Sequence, residues 1–367
     1  MSSEHPARQI VIIGGGIIGC TTAYYLCSHP TFAASGTTVT LLEASVYGVA
    51  QGASGKAGGL IAKWAYPKEL VNVSFPEHVR LAREHNGAQR WGWRFVECGS
   101  WEGRGESARE DTGTGVGKGG ERKSLEKTNG LDASPNAKKR AQTGLPDDLT
   151  WVKAELTDAY SPMAPAGATA QVHPRLFTTS MLELAQEKGL EFVAGKASAI
   201  EIDNAAGSVT GVTYTERGAG SATRTIPATH VILAAGAWSP QIHPAVPITG
   251  TRAHSITIHP RDGTVDDVEV DQNACESIRE HVASISAELR DGAVDKRQAC
   301  FLPVVSTGGG PIVGEATSIA KGLVIATGHT CWGICNAPGT AKAVAELVME
   351  GKIKCANLKN LQPGRFL

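Results

Sequence analysis

The chain has 367 residues, enough to bury a large core and to form two domains or one unusually large one. Its 35 basic and 36 acidic side chains nearly cancel, which argues against a nucleic acid or an anionic membrane as partner and for a small molecule. Eight cysteines are spread over this length, no hydrophobic leader precedes Ile10, and no apolar run approaches ~18 residues, so reduced thiols and a cytoplasmic protein without a membrane span are expected. Arg365-Phe366-Leu367 at the end lacks the small-basic-Leu form of a peroxisomal address.

Gln9 to Leu26 read as strand, tight turn and helix: a short β-branched run, then glycines, then Ala23, Tyr24 and Leu26 at helical spacing. Gly14, Gly16 and Gly19 fill G-x-G-x-x-G, in which the first permits the turn, the second lets backbone approach a pyrophosphate, and the third allows the helix to pack on the strand. Ile17 and Ile18 then lie in the first turn of the helix, where free N–H groups face phosphate charge. A second apolar strand, Val39 to Leu42, ends at Glu43 and Ala44, where a carboxylate can take the ribose hydroxyls of an adenosine. The spacing exceeds the usual ~20 residues, and Pro30 to Thr38 supply a loop that accounts for the excess. An acid there favours NAD or FAD over NADP.

Gln51 to Leu60, QGASGKAGGL, is a second small-residue loop directly after the ribose acid, and its Ser54, Gly55, Lys56, Gly58, Gly59 and Leu60 suit close backbone approach to a flat ring or to phosphate. Between Gly99 and Asp147 the composition turns polar and glycine-rich, so a solvated, flexible insertion is expected at about 102–147, serving as a lid or as a docking loop for a protein partner. Gly113, Gly115 and Gly117 within it follow no strand and are not a phosphate loop. A helix is predicted from Pro174, with Leu176, Phe177, Met181, Leu184 and Ala185 on one face and Gly189 at its end, followed by a strand at Leu190 to Val193 and a hairpin of Ala197 to Glu201 with Val209 to Thr215. Val231 to Pro240, VILAAGAWSP, is a buried-type strand running into Ala235, Gly236 and Trp238, and Thr251 to His259 alternates like a strand. Gly314 falls in PIVGE. The stretch after Ala326, ATGHTCWGICNAPGTAKAVAEL, places Gly328, His329, Thr330, Cys331, Trp332, Gly333 and Ile334 ahead of a helix with Pro338 in its first turn. Cys331 and Cys335 are spaced C-x3-C with no second pair to complete a tetrahedral metal set and no redox C-x-x-C, so no metal is expected and the thiols read as the wall of a pocket.

Taken in order, the opening motif, the second glycine loop, VILAAGAWSP and PIVGE resemble the D-amino-acid-oxidase-like family of FAD oxidoreductases, which includes glycine, sarcosine and fructosyl-amino-acid oxidases. The resemblance covers Ile10 to about Lys68, His173 to Ser239 and Cys300 to Gly351. It implies an α/β fold: a Rossmann-like FAD-binding domain from residues 1–70, 165–245 and 300–367, and an antiparallel-sheet α+β substrate domain from 71–164 and 246–299. It implies FAD as cofactor, with a strand near the adenine around Ala197 and the N-terminus of the last helix facing the pyrimidine edge of the isoalloxazine, where a helix end stabilises negative charge.

The reaction implied is hydride transfer from the carbon beside an amine to flavin N5, with the protein supplying position and field. The family's carboxylate anchors are missing. Leu302 stands where an arginine precedes the proline in amino-acid oxidases, and Cys335 matches the basic residue of the last glycine-rich turn in sarcosine oxidase relatives. Lys63 matches an arginine that helps hold the substrate carboxylate, and Cys300 matches the cysteine that carries flavin covalently in some members. Lys63, His329 and Trp332 are the expected catalytic residues. A second reading is oxidation of a non-amine small molecule, and a third is a flavin-bearing interaction protein.

Overall fold

The computed structural model describes residues 7–105, 145–146, 149, 151–152, 156–217, 222–259 and 270–367. Most of the polar insertion expected at 102–147 lies outside the described residues. The chain divides into two compact units, one made of residues 1–96, 167–252 and 300–367, the other of 97–166 and 253–299.

The first unit is built on an eight-stranded sheet. Its strands run in the order Thr223–Pro227, Ser208–Glu216, Glu191–Asp203, Thr38–Glu43, Gln9–Ile13, His230–Leu233, Leu323–Thr327, Ile312–Glu315. The central pairs are parallel and both edges are antiparallel. Parallel pairing of Gln9–Ile13 with Thr38–Glu43 requires a crossover, and the helix Ile17–Cys27 supplies it. Central strands covered on both faces must be apolar throughout. Accordingly Ile10, Val11, Ile12 and Ile13 are all at most 4% exposed. Val11 and Ile13 pack with Leu42, Val231, Leu233, Leu323 and Ile325 on one face.

Three sequence expectations shift in register. The segment predicted as a short strand and a separate hairpin arm is one strand, Glu191–Asp203, which first runs parallel to Thr38–Glu43 and then antiparallel to Ser208–Glu216. In the helix Pro174–Gln186 the buried face holds Phe177, Met181, Leu184 and Ala185, whereas Leu176 is 45% exposed, because it lies on the side of the helix away from Pro174, Thr178 and Met181. His173 caps this helix, its Nδ1 accepting from the Leu176 N–H at 3.4 Å. The last helix begins at Gly333, so Pro338 lies in its second turn rather than its first.

That proline removes the N–H that would bond the Ile334 carbonyl. Another helix, Lys68–Glu84, repairs the ladder. Its His78 Nε2 donates to the carbonyls of Ile334 and Cys335 at 3.0 and 3.1 Å. Its Ser74 hydroxyl donates to the Asn336 carbonyl at 3.0 Å and accepts from the Gly339 N–H at 2.9 Å. A Cβ on Gly339 would stand 2.5 Å from the Ser74 Oγ and 2.7 Å from the Leu70 carbonyl, so the two helices meet at backbone distance. The sequence places the residues from Val71 in the second domain, but this helix belongs to the first unit, whose last helix its polar side chains complete. A three-stranded antiparallel sheet, Leu60–Ala62, Thr169–Gln171 and Arg94–Phe95, completes the unit's smaller elements.

In the second unit Gly99–Gly103 and Thr157–Pro162 form an antiparallel pair, with the Trp101 Nε1 donating to the Thr157 hydroxyl at 2.9 Å. The helix Gln272–Ile285 is capped by Asp271, whose Oδ1 accepts from the N–H groups of Asn273 and Ala274 at 3.0 and 3.1 Å. No helix among the described residues is long and apolar enough to cross a membrane.

Candidate functional site

All the candidate residues lie in the first unit, and the structure gathers them into three groups. The first is the glycine turn. Gly14 has φ +114°, and a Cβ on it would meet the Ala234 carbonyl oxygen at 2.6 Å; one on Gly19 would meet the Gly14 carbonyl oxygen at 1.9 Å. Both positions are glycine because strand, turn and helix are in backbone contact. The helix Ile17–Cys27 has Gly16 as its N-cap and no capping bond from its own cap residue, so its end is served by other chain segments. The Ser54 hydroxyl accepts from the Ile17 N–H at 2.9 Å, and the Glu43 carboxylate accepts from Gly15 and Ser45 N–H groups at 2.5 Å each. Ile17 and Ile18 themselves point into the core, at 3% and 8% exposed.

The second group joins the loop after Glu43 to two distant stretches. Ser54, Gly55 and Lys56 form a short helix, Ala53–Lys56, and the Gly55 backbone rests on the Ala50 carbonyl. Ala44 and Gly58 are exposed, while Gly59, at φ +78°, lies against the Val172 carbonyl and leads into Leu60. A Cβ added at Gly52 would meet the Trp238 ring at 3.5 Å. Trp238 in turn stands edge-on to Phe301, ring centres 6.4 Å apart, and both rings are at least 36% exposed. Cys300 beside it is buried; burial pushes its thiol up, and the positive charge of Lys56 pulls it partly back. Ala235 and Gly236 sit half-buried at the turn before Trp238, with open space where a Gly236 side chain would point.

The third group surrounds the start of the last helix. Gly328 and Thr330 both have positive φ, 84° and 52°, and the turn delivers Trp332 as N-cap of Gly333–Glu350 with no side-chain capping bond. The first-turn N–H groups of Gly333 and Ile334 thus have no side-chain cap. His329, expected to act on substrate, turns inward instead. It is 3% exposed, its Nε2 is 2.9 Å from the Thr340 hydroxyl, and burial lowers its pKa to about 3, so it is neutral and holds the turn. Lys63, expected to hold a carboxylate, is exposed with its ammonium 4.9 Å from the centre of the Phe75 ring. Trp332 is 6% exposed and stands edge-on to Trp64 and Tyr66, ring centres 5.4 and 5.8 Å away.

Cys331 is exposed, whereas Cys335 is buried, its Sγ 3.6 Å from the Ala62 carbonyl and its thiol pushed up to about 12 by burial. Among the described residues no group of three His, Cys, Asp or Glu could hold a metal ion. Two further candidates take structural positions. Gly314 lies in a strand where a Cβ would meet the Gln362 side chain at 2.7 Å, and the Ala197 methyl is buried in the sheet core.

Residues 9–268 and 261–347 match the profile of the DAO family, described as FAD dependent oxidoreductase, and the chain belongs to that family of FAD-dependent oxidoreductases. A Saccharomyces cerevisiae protein described as "Putative oxidoreductase TDA3" is 28% identical to it, over 97% of this chain and 94% of the relative. Among solved structures, the L-proline dehydrogenase of P. horikoshii superposes with a TM-score of 0.69 at 17% identity, covering 98% of each chain. The iminodiacetate oxidase of Chelativorans sp. BNC1 gives 0.67 at 20% identity, over 96% of this chain and 98% of that one. The cofactor is FAD, and the glycine turn is compatible with it: strand, turn and helix start meet in backbone contact at Gly14 and Gly19, and the Glu43 carboxylate lies against the Gly15 N–H. Trp64, Tyr66, His78 and Asn336 are the residues that sequence reasoning passed over. The signal was KWAYP, two aromatics with polar tips directly behind the GGL loop.

Proposed function

We propose that this FAD-dependent oxidoreductase oxidises a carbon–nitrogen bond of a small amine or amino-acid derivative in the cytosol, with the first unit as its FAD-binding domain and the second contributing to substrate binding. Bound FAD supplies a hydride acceptor at its flavin ring. The chain's own residues provide the rest. Gly14, Gly16 and Gly19, with the backbone of Ile17 and Ile18, take the pyrophosphate, and Glu43 takes the ribose hydroxyls. Ser54 orders the helix start that faces the phosphates, its hydroxyl holding the Ile17 N–H at 2.9 Å.

The loop from Ser54 to Leu60 and the stretch from Ala235 to Trp238 flank the ring system, with Cys300 beside them. The uncapped start of Gly333–Glu350 offers N–H groups and a dipole to negative charge on the reduced ring. His329 positions this turn through Thr340, and burial keeps its imidazole neutral. Trp332 is the residue we place against substrate.

The observation that carries the reading is the junction of Glu43, Gly15 and Ser54 at one helix start, within a fold shared over nearly the whole chain with an L-proline dehydrogenase and an iminodiacetate oxidase. Its test is anaerobic mixing of the FAD-loaded protein with panels of primary amines, secondary amines, amino acids and alcohols. Bleaching of the flavin by members of the nitrogen-containing panels alone is the expected result. Bleaching by alcohols with none by amines would replace it with oxidation at a C–O bond.

A further inference from the structure

The segment Leu358–Leu367, which follows the last helix, packs against the edge of the large sheet in a way that the cofactor cradle does not account for. It is made of two short turns, Lys359–Leu361 and Pro363–Arg365, closed by bonds within the segment: the Leu361 N–H donates to the Leu358 carbonyl at 2.9 Å, and the Phe366 N–H to the Pro363 carbonyl at 2.8 Å. Leu358 and Leu361 are each 3% exposed, and Phe366 and Leu367 pack against the core cluster that contains Val305, Ile312 and Ile325. Its side chains meet the neighbouring chain at glycines. A Cβ on Gly314 would stand 2.7 Å from the Gln362 Oε1 and 2.9 Å from the Pro363 Cδ, one on Gly310 would stand 2.8 Å from the Leu361 Cδ2, and one on Gly309 would stand 3.2 Å from the Phe366 Cε1. The segment therefore rests on bare backbone at each of these places.

What it rests on has little stiffness of its own. Gly308, Gly309 and Gly310 form the turn between the strands Ala293–Val305 and Ile312–Glu315, with φ of 81° and 90° at the first two. A run of glycines loses much conformational freedom when it is ordered, so packing from outside has to hold it. Ile312–Glu315 is an edge strand of the sheet, paired with Leu323–Thr327. In that ladder Ile312 is opposite Thr327, which puts Pro311, directly after the turn, opposite Gly328; a Cβ on Gly328 would meet the Pro311 Cα at 3.5 Å and the Val305 Cγ2 at 2.7 Å. Gly328 opens the turn that delivers Trp332 as N-cap of Gly333–Glu350. Contacts thus run without a break from Leu361 and Phe366 through Gly309, Gly310 and Pro311 to the start of the last helix.

We infer that Leu358–Leu367 is a latch: Leu361 and Phe366 hold the glycine turn in place, and through it they position the start of Gly333–Glu350 and set how strongly that helix end stabilises the reduced flavin. Both are positioning residues that act through the turn. The inference rests on the placement of that helix end at the flavin ring and is independent of the substrate class.

The test is a redox titration of the FAD-loaded full chain against a reference dye, which needs no substrate. A helix end free to move from the ring stabilises its negative charge less. L361A and F366A should therefore each shift the two-electron equilibrium roughly threefold to tenfold toward oxidised flavin, a fall of about 15–30 mV in midpoint potential. V212A, a core truncation at the other end of the sheet, controls for lost stability and should leave the potential unchanged. Should L361A fail to fold, F366A, at a partly buried position, decides the matter. Potentials of L361A and F366A that match those of the wild type or of V212A would overturn the latch. H78A separates it from the reading on which it rests, because His78 bonds the Ile334 and Cys335 carbonyls of the helix start directly. A shift in H78A with none in L361A or F366A sinks the latch alone. No shift in any of the three means that the helix end does not face the ring, and the latch falls with that placement.

Discussion

The ring of His78 donates to the carbonyl of Ile334 across two helices, at 3.0 Å, where the missing N–H of Pro338 would otherwise leave that oxygen bare. One side chain therefore repairs a defect that a proline creates four residues further along another helix. Removing it should be costly: H78A leaves the Ile334 and Cys335 carbonyls unpaired in the core and opens a cavity, for a loss of about 2–4 kcal/mol. In a P338A background the helix regains a donor for Ile334, so the penalty of H78A should shrink by about 1 kcal/mol or more. Urea unfolding of the four proteins of this double-mutant cycle measures the coupling, and simple additivity would contradict the repair.

Acid should destabilise the fold before its carboxylates titrate. His78 and His329 are both neutral in the folded chain, with pKa values lowered to about 4 and about 3 by burial. In the unfolded chain each protonates near ~6.5, so between about pH 6.5 and 4 the unfolded state binds more protons and stability falls as pH falls. Their contribution is fully present above pH ~6.5 and declines by up to about 1.4 kcal/mol per pH unit for each histidine. The denaturant midpoint should drop steadily from pH 7 to 5, and H78Q should show a visibly shallower decline. A flat profile across that range would mean that these rings are protonated in the native state.

How much of this was legible in the sequence follows from what each feature depends on. The strand–turn–helix at Gly14 and Gly19 and the strand that ends at Glu43 depend on local backbone geometry and fixed spacing, so these elements could be read directly. The start of the last helix could not, because Pro338 is a strong local signal for a first turn and the compensating His78 lies more than 250 residues away. The orientation of His329 is not legible either: a histidine in a glycine-rich turn can face substrate or core, and only its pairing with Thr340 shows the ring turned into the core. The edge-on contacts of Trp64 and Tyr66 with Trp332 are not legible either, since they join residues from opposite ends of the chain.

Glu43 gives a direct test of the cofactor cradle. Its carboxylate accepts from Gly15 and Ser45, so it is already oriented by the turn it serves. E43Q keeps the shape and one acceptor oxygen but loses the charge, and hydrogen bonds to charged groups contribute about 1.5–3 kcal/mol. FAD affinity should therefore fall roughly tenfold to a hundredfold, measured by flavin fluorescence on titration of the apoprotein, and the urea midpoint should fall too, because one of the two backbone donors then faces the amide NH2. S54A, which removes the acceptor for Ile17, should weaken FAD less and cost about 1 kcal/mol of helix capping. An E43Q protein that binds FAD as the wild type does would place the ribose elsewhere.

Lys63 separates an ionic anchor from a neutral one. Its ammonium lies over the Phe75 ring at the surface, a contact worth about 0.5–1 kcal/mol when exposed. If substrate charge were held there, K63M would raise KM for a carboxylate-bearing substrate by about one to two orders of magnitude and leave kcat nearly constant, the pattern of lost uniform binding. If Lys63 only covers Phe75, K63M should change KM less than about threefold for that substrate. Steady-state kinetics on a matched pair, an amino acid and its amide, distinguish the two. A large KM effect of K63M confined to the free acid would assign the lysine as the substrate's anchor, and equal small effects on acid and amide would leave it a surface contact of Phe75.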